Sequence, residues 1–331
     1  MITVCGEGLV DLVDRGNHTY QACPGGSPLN VAVGLARLGH PTSLLARLAD
    51  DPFGRLLRAH LTAAAVSDRD LVHAAEPSTV AVTSLDRHGH ADYHFYVQGT
   101  ADWQWKPTDL PDRLPADVTA LHTGSLATWI PPGAEAIEAL LRREHHRGAV
   151  TLCYDPNVRP ALMGEHHTAR ARIERLVGLA DVVKVSDEDL AWAHPGRDPV
   201  QVAGDWATHG PRLIVVTRGG HGATAVTATG HQVTRPAPAI SVVDTVGAGD
   251  AFTAGLLAGL ADLDALGPHG RTACDRLDRD TLAALLDRAN LVAALTCTHP
   301  GAHPPTAAEV DRAGAHHPRR THPGRPTAPG R

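Results

Sequence analysis

Short apolar runs alternate with longer amphipathic ones along most of this chain, and that alternation is what most narrows the folds open to it. Strand-like runs stand at 2–6 (ITVCG), 42–48 (TSLLARL), 118–124 (VTALHTG), 149–155 (AVTLCYD), 181–186 (DVVKVS) and 212–217 (RLIVVT). Helix-like runs fill 27–38, 53–65, 133–146, 167–179, 187–193, 200–209, 248–262 and 281–297. Strands separated by helices return to one sheet in parallel through crossovers, so this order predicts an α/β fold with a mostly parallel central sheet. Ligands of such sheets collect beyond the carboxyl ends of the strands. The polar residues Asp11, Gly124, Asp155, Asn157, Ser186, Arg218 and Asp244 sit there, just past strand-like runs.

Two stretches break the alternation. Residues 78–99 (STVAVTSLDRHGHADYHFYVQG) read as two strands around the turn DRHGHA, and with 12–23 they could make a small sheet outside the main one. A hairpin projecting from an α/β core can serve as a lid that excludes water, or can merely cover a sheet edge, and the residues leave both open. From about 311 to 331 the chain is rich in Pro, Arg, His and Gly and nearly without apolar residues, so we expect residues 1–310 to form the folded domain and 311–331 a disordered tail.

Composition excludes several function classes. With 331 residues, 43% of them hydrophobic, the chain can bury a large core. A net charge of −6 gives no general reason to bind nucleic acid or an anionic membrane. No apolar run approaches the roughly 18 residues that span a bilayer, and MITVCGEGLVDLV lacks the basic start and cleavage site of a signal peptide. The 5 cysteines, Cys5, Cys23, Cys153, Cys274 and Cys297, are scattered without a CxxC pair. Reduced thiols and a cytoplasmic setting are therefore expected. The 22 histidines show no zinc spacing. Lysine occurs only at Lys106 and Lys184, arginine supplying the other basic residues.

The chemistry concentrates in DTVGAGDAFTAGLLAGL, residues 244–260. A glycine-rich turn feeding a helix presents backbone N–H groups and the positive end of the helix dipole to an anion, and Gly247, Ala248 and Gly249 let a phosphate approach closely. The turn is neither a Walker loop, which needs GxxxxGK[ST], nor a dinucleotide fingerprint, since the third glycine is missing and the turn lies late in the chain. A carboxylate at Asp250 would repel a bound phosphate. It becomes useful as the general base that takes the proton of an attacking hydroxyl, while the amides stabilise charge on the transferred phosphoryl group. As structure only, it would be an acidic residue favoured near a helix N-terminus. A second stretch, CPGGSPLNVAVGLARLG (23–39), puts Gly25 and Gly26 before a helix start and Asn30 one turn in, where backbone and amide could meet a polyol; an ordinary loop-to-helix junction would look the same.

Together these two stretches resemble the two signatures of the ribokinase-like (PfkB) carbohydrate kinases. YDPNVRPALM (154–163), DVVKVSDEDLAWAHPG (181–196), GEGLVDLV (6–13) and PGAHPPTAAEV (300–310) resemble the fructokinase and 2-keto-3-deoxygluconate kinase branch. The resemblance runs from about residue 3 to 310 and implies a three-layer α/β/α fold with a small β-sheet lid. It implies an ATP-dependent sugar kinase using Mg²⁺, with a homodimer formed through the lid. Asp250 would be the base, and Gly247, Ala248 and Gly249 the anion hole. Asp11, Gly25, Gly26 and Asn30 would hold sugar hydroxyls, and Arg159 would reach phosphate or sugar. Ser186 and Asp189 occupy the family's Asn-x-x-Glu element, which organises Mg²⁺ through water, although both positions differ from that pattern. Thr217, Gly219 and Gly222 fit the nucleotide loop, and Asn290 falls where a helix packs against adenine. Asp244 and the 298–302 loop resemble the monovalent-cation site of some members, with K⁺ left open. On plainer readings Asp11 is a turn residue, Arg159 pairs with Asp155 or Glu188, and Asn290 satisfies a buried backbone group.

For the acceptor, the keto-acid kinases carry an arginine after the aromatic pair of the lid strand, where this chain has Val97 and Gln98. Without that cation a buried carboxylate lacks its fork-shaped partner. Hydroxyls and the aromatics Tyr93, Tyr96 and Trp103 suit a neutral sugar, fructose first, phosphorylated at O6 if the fructokinase likeness holds. A 2-keto-3-deoxygluconate kinase or another PfkB sugar or nucleoside kinase is the alternative. An inactive sugar-binding regulator would lack the base or the glycine turn, and a Rossmann dehydrogenase would carry its glycines on the first βα turn.

Overall fold

The computed structural model describes residues 1–85, 91–106 and 108–316. Its strands are β1 (Ile2–Cys5), β2 (Leu9–Asp14), β3 (Tyr20–Gly25), β4 (Thr42–Ala49), β5 (Leu71–Ala74), β6 (Val80–Leu85), β7 (Ala91–Tyr96), β8 (Ala120–Gly124), β9 (Thr151–Asp155), β10 (Val182–Ser186), β11 (Leu213–Thr217), β12 (Ala223–Thr227) and β13 (Gln232–Arg235). The helices are α1 (Ser27–Arg37), α2 (Pro52–Ala63), α3 (Gly133–Arg147), α4 (His166–Leu179), α5 (Asp187–Ala193), α6 (Pro199–Ala207), α7 (Ala248–Asp262), α8 (Gly270–Asp275), α9 (Arg279–Thr296) and α10 (Ala307–His316).

The main sheet has nine strands in the order β13-β12-β11-β10-β9-β8-β1-β4-β5, parallel from β11 to β5 and antiparallel at β12 and β13. Its central strands are apolar on both faces, as parallel strands covered by helices must be. In β11, Leu213 and Val215 join the core shared with α1, α7 and α9, while Ile214 and Val216 join the core shared with α3, α4 and α6. The expected three-layer α/β/α architecture is the one observed. Every strand and helix read from the alternation is present; β5, β12, β13, α8 and α10 were not foreseen. Residues 311–316 complete α10, which corrects the start of the expected tail: buried Val310 seats the helix on the core, and its last turns continue past that anchor to His316. The rest of that tail and most of the DRHGHA turn lie outside the described residues.

A second sheet of four strands, β3-β2-β6-β7, joins the two regions that the sequence paired as a lid. It is tied to the main body by buried polar groups. Asp102 accepts hydrogen bonds from the Gly8 amide at 2.9 Å and from the Thr79 hydroxyl. Arg47 on β4, 2% exposed, donates to the Ala101 carbonyl and pairs with Glu76 and Asp109.

Helix α7 is apolar almost all round, and such a helix belongs inside the protein. It lies between α1 and α9, and small residues let the three approach. A Cβ on Gly255 would stand 3.1 Å from Ala289 Cα, and one on Gly34 would stand 2.7 Å from the Ala254 methyl. The buried helix thereby carries its own N-terminus to a fixed place at the carboxyl edge of the sheet.

Candidate active site

A cavity of about 530 Å³ opens at that edge, between the two sheets. Two helices begin in its wall on glycines with positive φ: Gly26 (φ 100°) before α1 and Gly247 (φ 75°) before α7. Neither helix has a side-chain cap, whereas α2, α5, α6 and α9 are closed by Asp51, Ser186, Asp198 and Asp278. First-turn amides have no intrahelical acceptor, so these two termini keep donors for a guest. Glycine is required at 247 twice over, because a Cβ there would stand 2.6 Å from the Ala302 methyl of the 298–302 loop.

Asp250 sits in the first turn of α7, half-buried at the cavity wall. The Ser27 hydroxyl donates to its Oδ1 at 2.6 Å and the Asn30 amide to its Oδ2 at 2.8 Å. Burial lifts its carboxyl above the usual range; the bonds from Ser27 and Asn30 and the charge of Lys184 pull it back part of the way. The result is an oriented carboxylate with accepting capacity left over, which is what a base needs.

Asp11, on β2, projects from the lid into the same cavity, and burial together with Asp250 pushes its carboxyl up to about 6. A Cβ on Gly25 would collide with that carboxylate, and one on Gly26 would stand 2.8 Å from the Glu7 carbonyl. The paired glycines thus clear space where strand β3 meets α1. Because lid side chains line the cavity, the small sheet faces the site rather than covering an edge. The aromatic reading needs correction: Phe95 lines the cavity, while Tyr96 is 64% exposed and Trp103 is packed in the core. Alternation along β7 turns neighbours to opposite faces, which separates Phe95 from Tyr96. The side chain of Tyr93 lies outside what the structure describes.

Arg159 lines the cavity, its guanidinium donating to the Val158 carbonyl at 2.9 Å rather than to Asp155 or Glu188. Ser186 caps α5 by accepting from the Asp189 amide at 3.0 Å, and Asp189 in turn accepts from the Val158 amide at 3.1 Å. Both also face the cavity, beside Asp187 and Glu188. Among the described residues no group of three His, Cys, Asp or Glu is arranged to hold a metal ion directly. An acidic helix start facing the phosphate turn does suit a divalent ion held through water.

Thr217 and Gly219 line the cavity, and Gly222 does not. Gly222 (φ 91°) closes the β11–β12 turn against the Arg235 carbonyl, a position no Cβ could occupy. Asn290 is also placed differently from the expectation. It is 4% exposed and its amide donates to the carbonyls of Arg235 and Pro236 at 3.4 and 3.3 Å, the plainer of its two readings. Asp244 binds the turn together: Oδ1 accepts from the Val246 amide at 3.0 Å and Oδ2 from the Gly301 amide at 2.7 Å. It thereby joins the two loops expected at the cation site.

Two residues at the site, Ser27 and Lys184, were given no role from the sequence, and Asp155 was placed only at the carboxyl edge of the sheet. Ser27 was read only as a helix start. Asp155 and Lys184 form a buried pair, Nζ to Oδ2 2.9 Å, beneath the glycine turn. The one available signal was compositional, a lysine inside an apolar strand of a chain that otherwise uses arginine.

Residues 7–308 match the profile described as pfkB family carbohydrate kinase. The chain belongs to the PfkB family of carbohydrate kinases. It is a phosphotransferase that acts on a sugar hydroxyl. Among its relatives, a fructokinase of Rhizobium leguminosarum bv. trifolii is 40% identical over 264 residues, 78% of this chain and 79% of the relative. A fructokinase of Xylella fastidiosa, solved with bound ATP, superposes with a TM-score of 0.86 at 28% identity, covering 95% of this chain and 98% of that one. A double mutant of the Vibrio cholerae O395 fructokinase, with fructose, ADP and a potassium ion, superposes with a TM-score of 0.79 at 30% identity over 94% and 98%. As a PfkB kinase the protein has no helix, among the described residues, long and apolar enough to cross a membrane.

Proposed function

We propose that the protein is an ATP-dependent fructokinase with Asp250 as the general base. The observation that carries this reading is the Asp250 carboxylate, held by Ser27 and Asn30 at the uncapped start of α7, within a cavity that Asp11 of the lid also lines. The nucleotide lies along the carboxyl edge of the sheet past Thr217 and Gly219, its terminal phosphate against the Gly247–Gly249 turn, where the amides of Gly247 and Gly249 meet it while the Ala248 amide donates to the Thr245 carbonyl at 3.2 Å. The sugar lies between Asp11, Gly26 and Phe95. Asp250 takes the proton of the attacking hydroxyl, and the helix amides offset charge as it develops on the transferred phosphoryl group. Mg²⁺, held through water near Ser186 and Asp189, supplies further charge neutralisation when bound. Asn30 contributes by aiming the base, a role beyond the sugar contact expected from sequence.

Fructose is favoured over a keto acid by what lines the cavity. Arg159 and Lys184 are its cations among the described residues, and the sugar end carries Glu7, Asp11 and Phe95. A carboxylate substrate would meet acids there. The test is ADP release with Mg·ATP and fructose, ribose, 2-keto-3-deoxygluconate, adenosine or no acceptor. Fructose is expected to give the fastest release. Release with 2-keto-3-deoxygluconate alone would overturn the substrate while sparing the kinase, and release equal in every tube would overturn the acceptor site itself.

A further inference from the structure

Lys184 lies on β10 between Val183 and Val185, and those two valines turn into one core while Lys184 turns toward the other face, under the start of α7. Its side chain is nearly buried, and its Nζ stands 3.1 Å from where a Cβ on Gly249 would be. Its ammonium group lines the cavity beside Gly247, Gly249 and Asp250. The bond to Asp155 at 2.9 Å uses one of its three protons.

We propose that Lys184 is a catalytic residue of the phosphoryl transfer, its ammonium donating from beneath the glycine turn to an oxygen of the transferred phosphoryl group. The proposal rests on the kinase reading given above. In the step, the bond from the acceptor oxygen to phosphorus forms as the bond from phosphorus to the β-phosphate oxygen breaks. The acceptor proton passes to Asp250, and ADP leaves with the electron pair. Lys184 keeps its proton throughout and contributes charge.

Four observations support this role over simple neutralisation of Asp155. The cavity wall carries six carboxylates against two cations, Arg159 and Lys184, and a triphosphate adds more negative charge. Of the two, Lys184 stands against the turn, its Nζ 3.1 Å from where a Cβ on Gly249 would be, while the Arg159 guanidinium reaches to the Val158 carbonyl. The group stays charged: burial opposes the ammonium, but Asp155, with Asp189 and Asp250 beyond it, outweighs burial and raises its pKa. The neighbouring His122 is pushed by burial down to about 4 and is neutral at pH 7. Lastly, this chain has only two lysines and uses arginine almost everywhere else. A compact ammonium fits under Gly249 where a planar guanidinium fork would not.

The test compares Lys184→Met with the double variant Lys184→Met/Asp155→Asn, which leaves no unpaired buried carboxylate at that position. Each is assayed with the panel sugar that the unaltered enzyme turns over fastest. Affinity is measured for Mg·ADP alone and for Mg·ADP with aluminium fluoride and that sugar, a mimic of the phosphoryl group in flight. We expect kcat to fall about 10²–10³-fold in both variants, the range for a lost charge-stabilising donor. Mg·ADP affinity should stay within about threefold while the aluminium fluoride complex weakens about 10²-fold, a divergence that equal binding of ground and transition states cannot produce. A folded double variant with kcat within about threefold and an unchanged ratio of the two affinities would overturn the proposal and leave Lys184 as the counter-charge of Asp155. An unaltered protein that releases ADP with no sugar would sink the kinase reading, and this proposal with it.

Discussion

The Asn30 amide on α1 donates to Oδ2 of Asp250 on α7 at 2.8 Å, across 220 residues of sequence. This bond makes one unit of the two glycine-led helices that flank the cavity. Removing it with Asn30→Ala deprives a charged acceptor of a donor, a loss of about 1.5–3 kcal/mol. We expect kcat/KM to fall about 10–100-fold. The bond also holds the Asp250 carboxyl down against burial. Its removal raises that pKa, so the acidic limb of the pH profile should move to higher pH. A variant whose rate falls with the limb unmoved would mean that Asn30 acts on the sugar alone.

Asp250→Asn keeps the shape of the site and removes the base. Turnover should drop by about 10²–10⁴-fold, with Mg·ADP affinity measured by calorimetry nearly unchanged. Since the replaced carboxylate is raised in pKa in the fold, the variant should also melt higher than the unaltered protein at neutral pH.

Asp11 makes a related trade legible in stability. Its carboxyl is pushed up to about 6 in the fold, by burial first and by Asp250 second. A raised carboxyl binds more protons folded than unfolded, so its ionisation costs stability as pH rises through the window between about 4 and 6. Asp11→Asn removes that cost. Its melting temperature should equal that of the unaltered protein near pH 4 and exceed it by a few degrees at pH 8, while KM for the sugar rises. Equal melting temperatures at pH 8 would show that Asp11 is no burden to the fold.

The sequence reading reached the layers and the reacting turn because both are written in local pattern. The period of β11 and the all-apolar face of α7 need no partner to be recognised, and neither does a carboxylate placed after Gly247–Gly249. What escaped depends on contact at a distance. Strand β12 (ATAVT) is short and built of small residues, and β13 (QVTR) is short and polar; β12 is a strand because β11 offers it an edge, and β13 because β12 does in turn. Nothing near Asn290 in sequence tells that its amide will meet the carbonyls of Arg235 and Pro236. Phe95 and Tyr96 differ only in which side of β7 they take, a choice fixed by the register of the lid.

Arg47 tests how the lid is anchored. Its guanidinium is buried and shared among the Ala101 carbonyl, Glu76 and Asp109. Arg47→Met removes a buried donor shared by two partly exposed carboxylates and leaves the Ala101 carbonyl without it, a loss of about 1–3 kcal/mol. Chemical denaturation should show that loss, with kcat below the new midpoint within about twofold of the original. An unchanged midpoint would mean that solvent already satisfies Glu76 and Asp109.

Gly34 offers the sharpest test of how the base is placed. Four residues separate Asn30 from Gly34 on α1, and four separate Asp250 from Ala254 on α7. Residues at that spacing share a helix face, so the close approach at 34 and 254 sets the distance at 30 and 250. Propensity alone would favour Gly34→Ala by about 1 kcal/mol. A Cβ there, however, meets the Ala254 methyl at 2.7 Å, and neither backbone can yield without shifting a helix. Overpacking of this kind costs about 1–3 kcal/mol and should win. Gly34→Ala should therefore melt lower and lose kcat as Asn30 is levered off Asp250. Gly34→Ala combined with Ala254→Gly returns the lost space and should recover most of the rate. If the single variant melts higher at full kcat, the helix contact does not set the geometry of the base, and its aim must come from Ser27 and the turn.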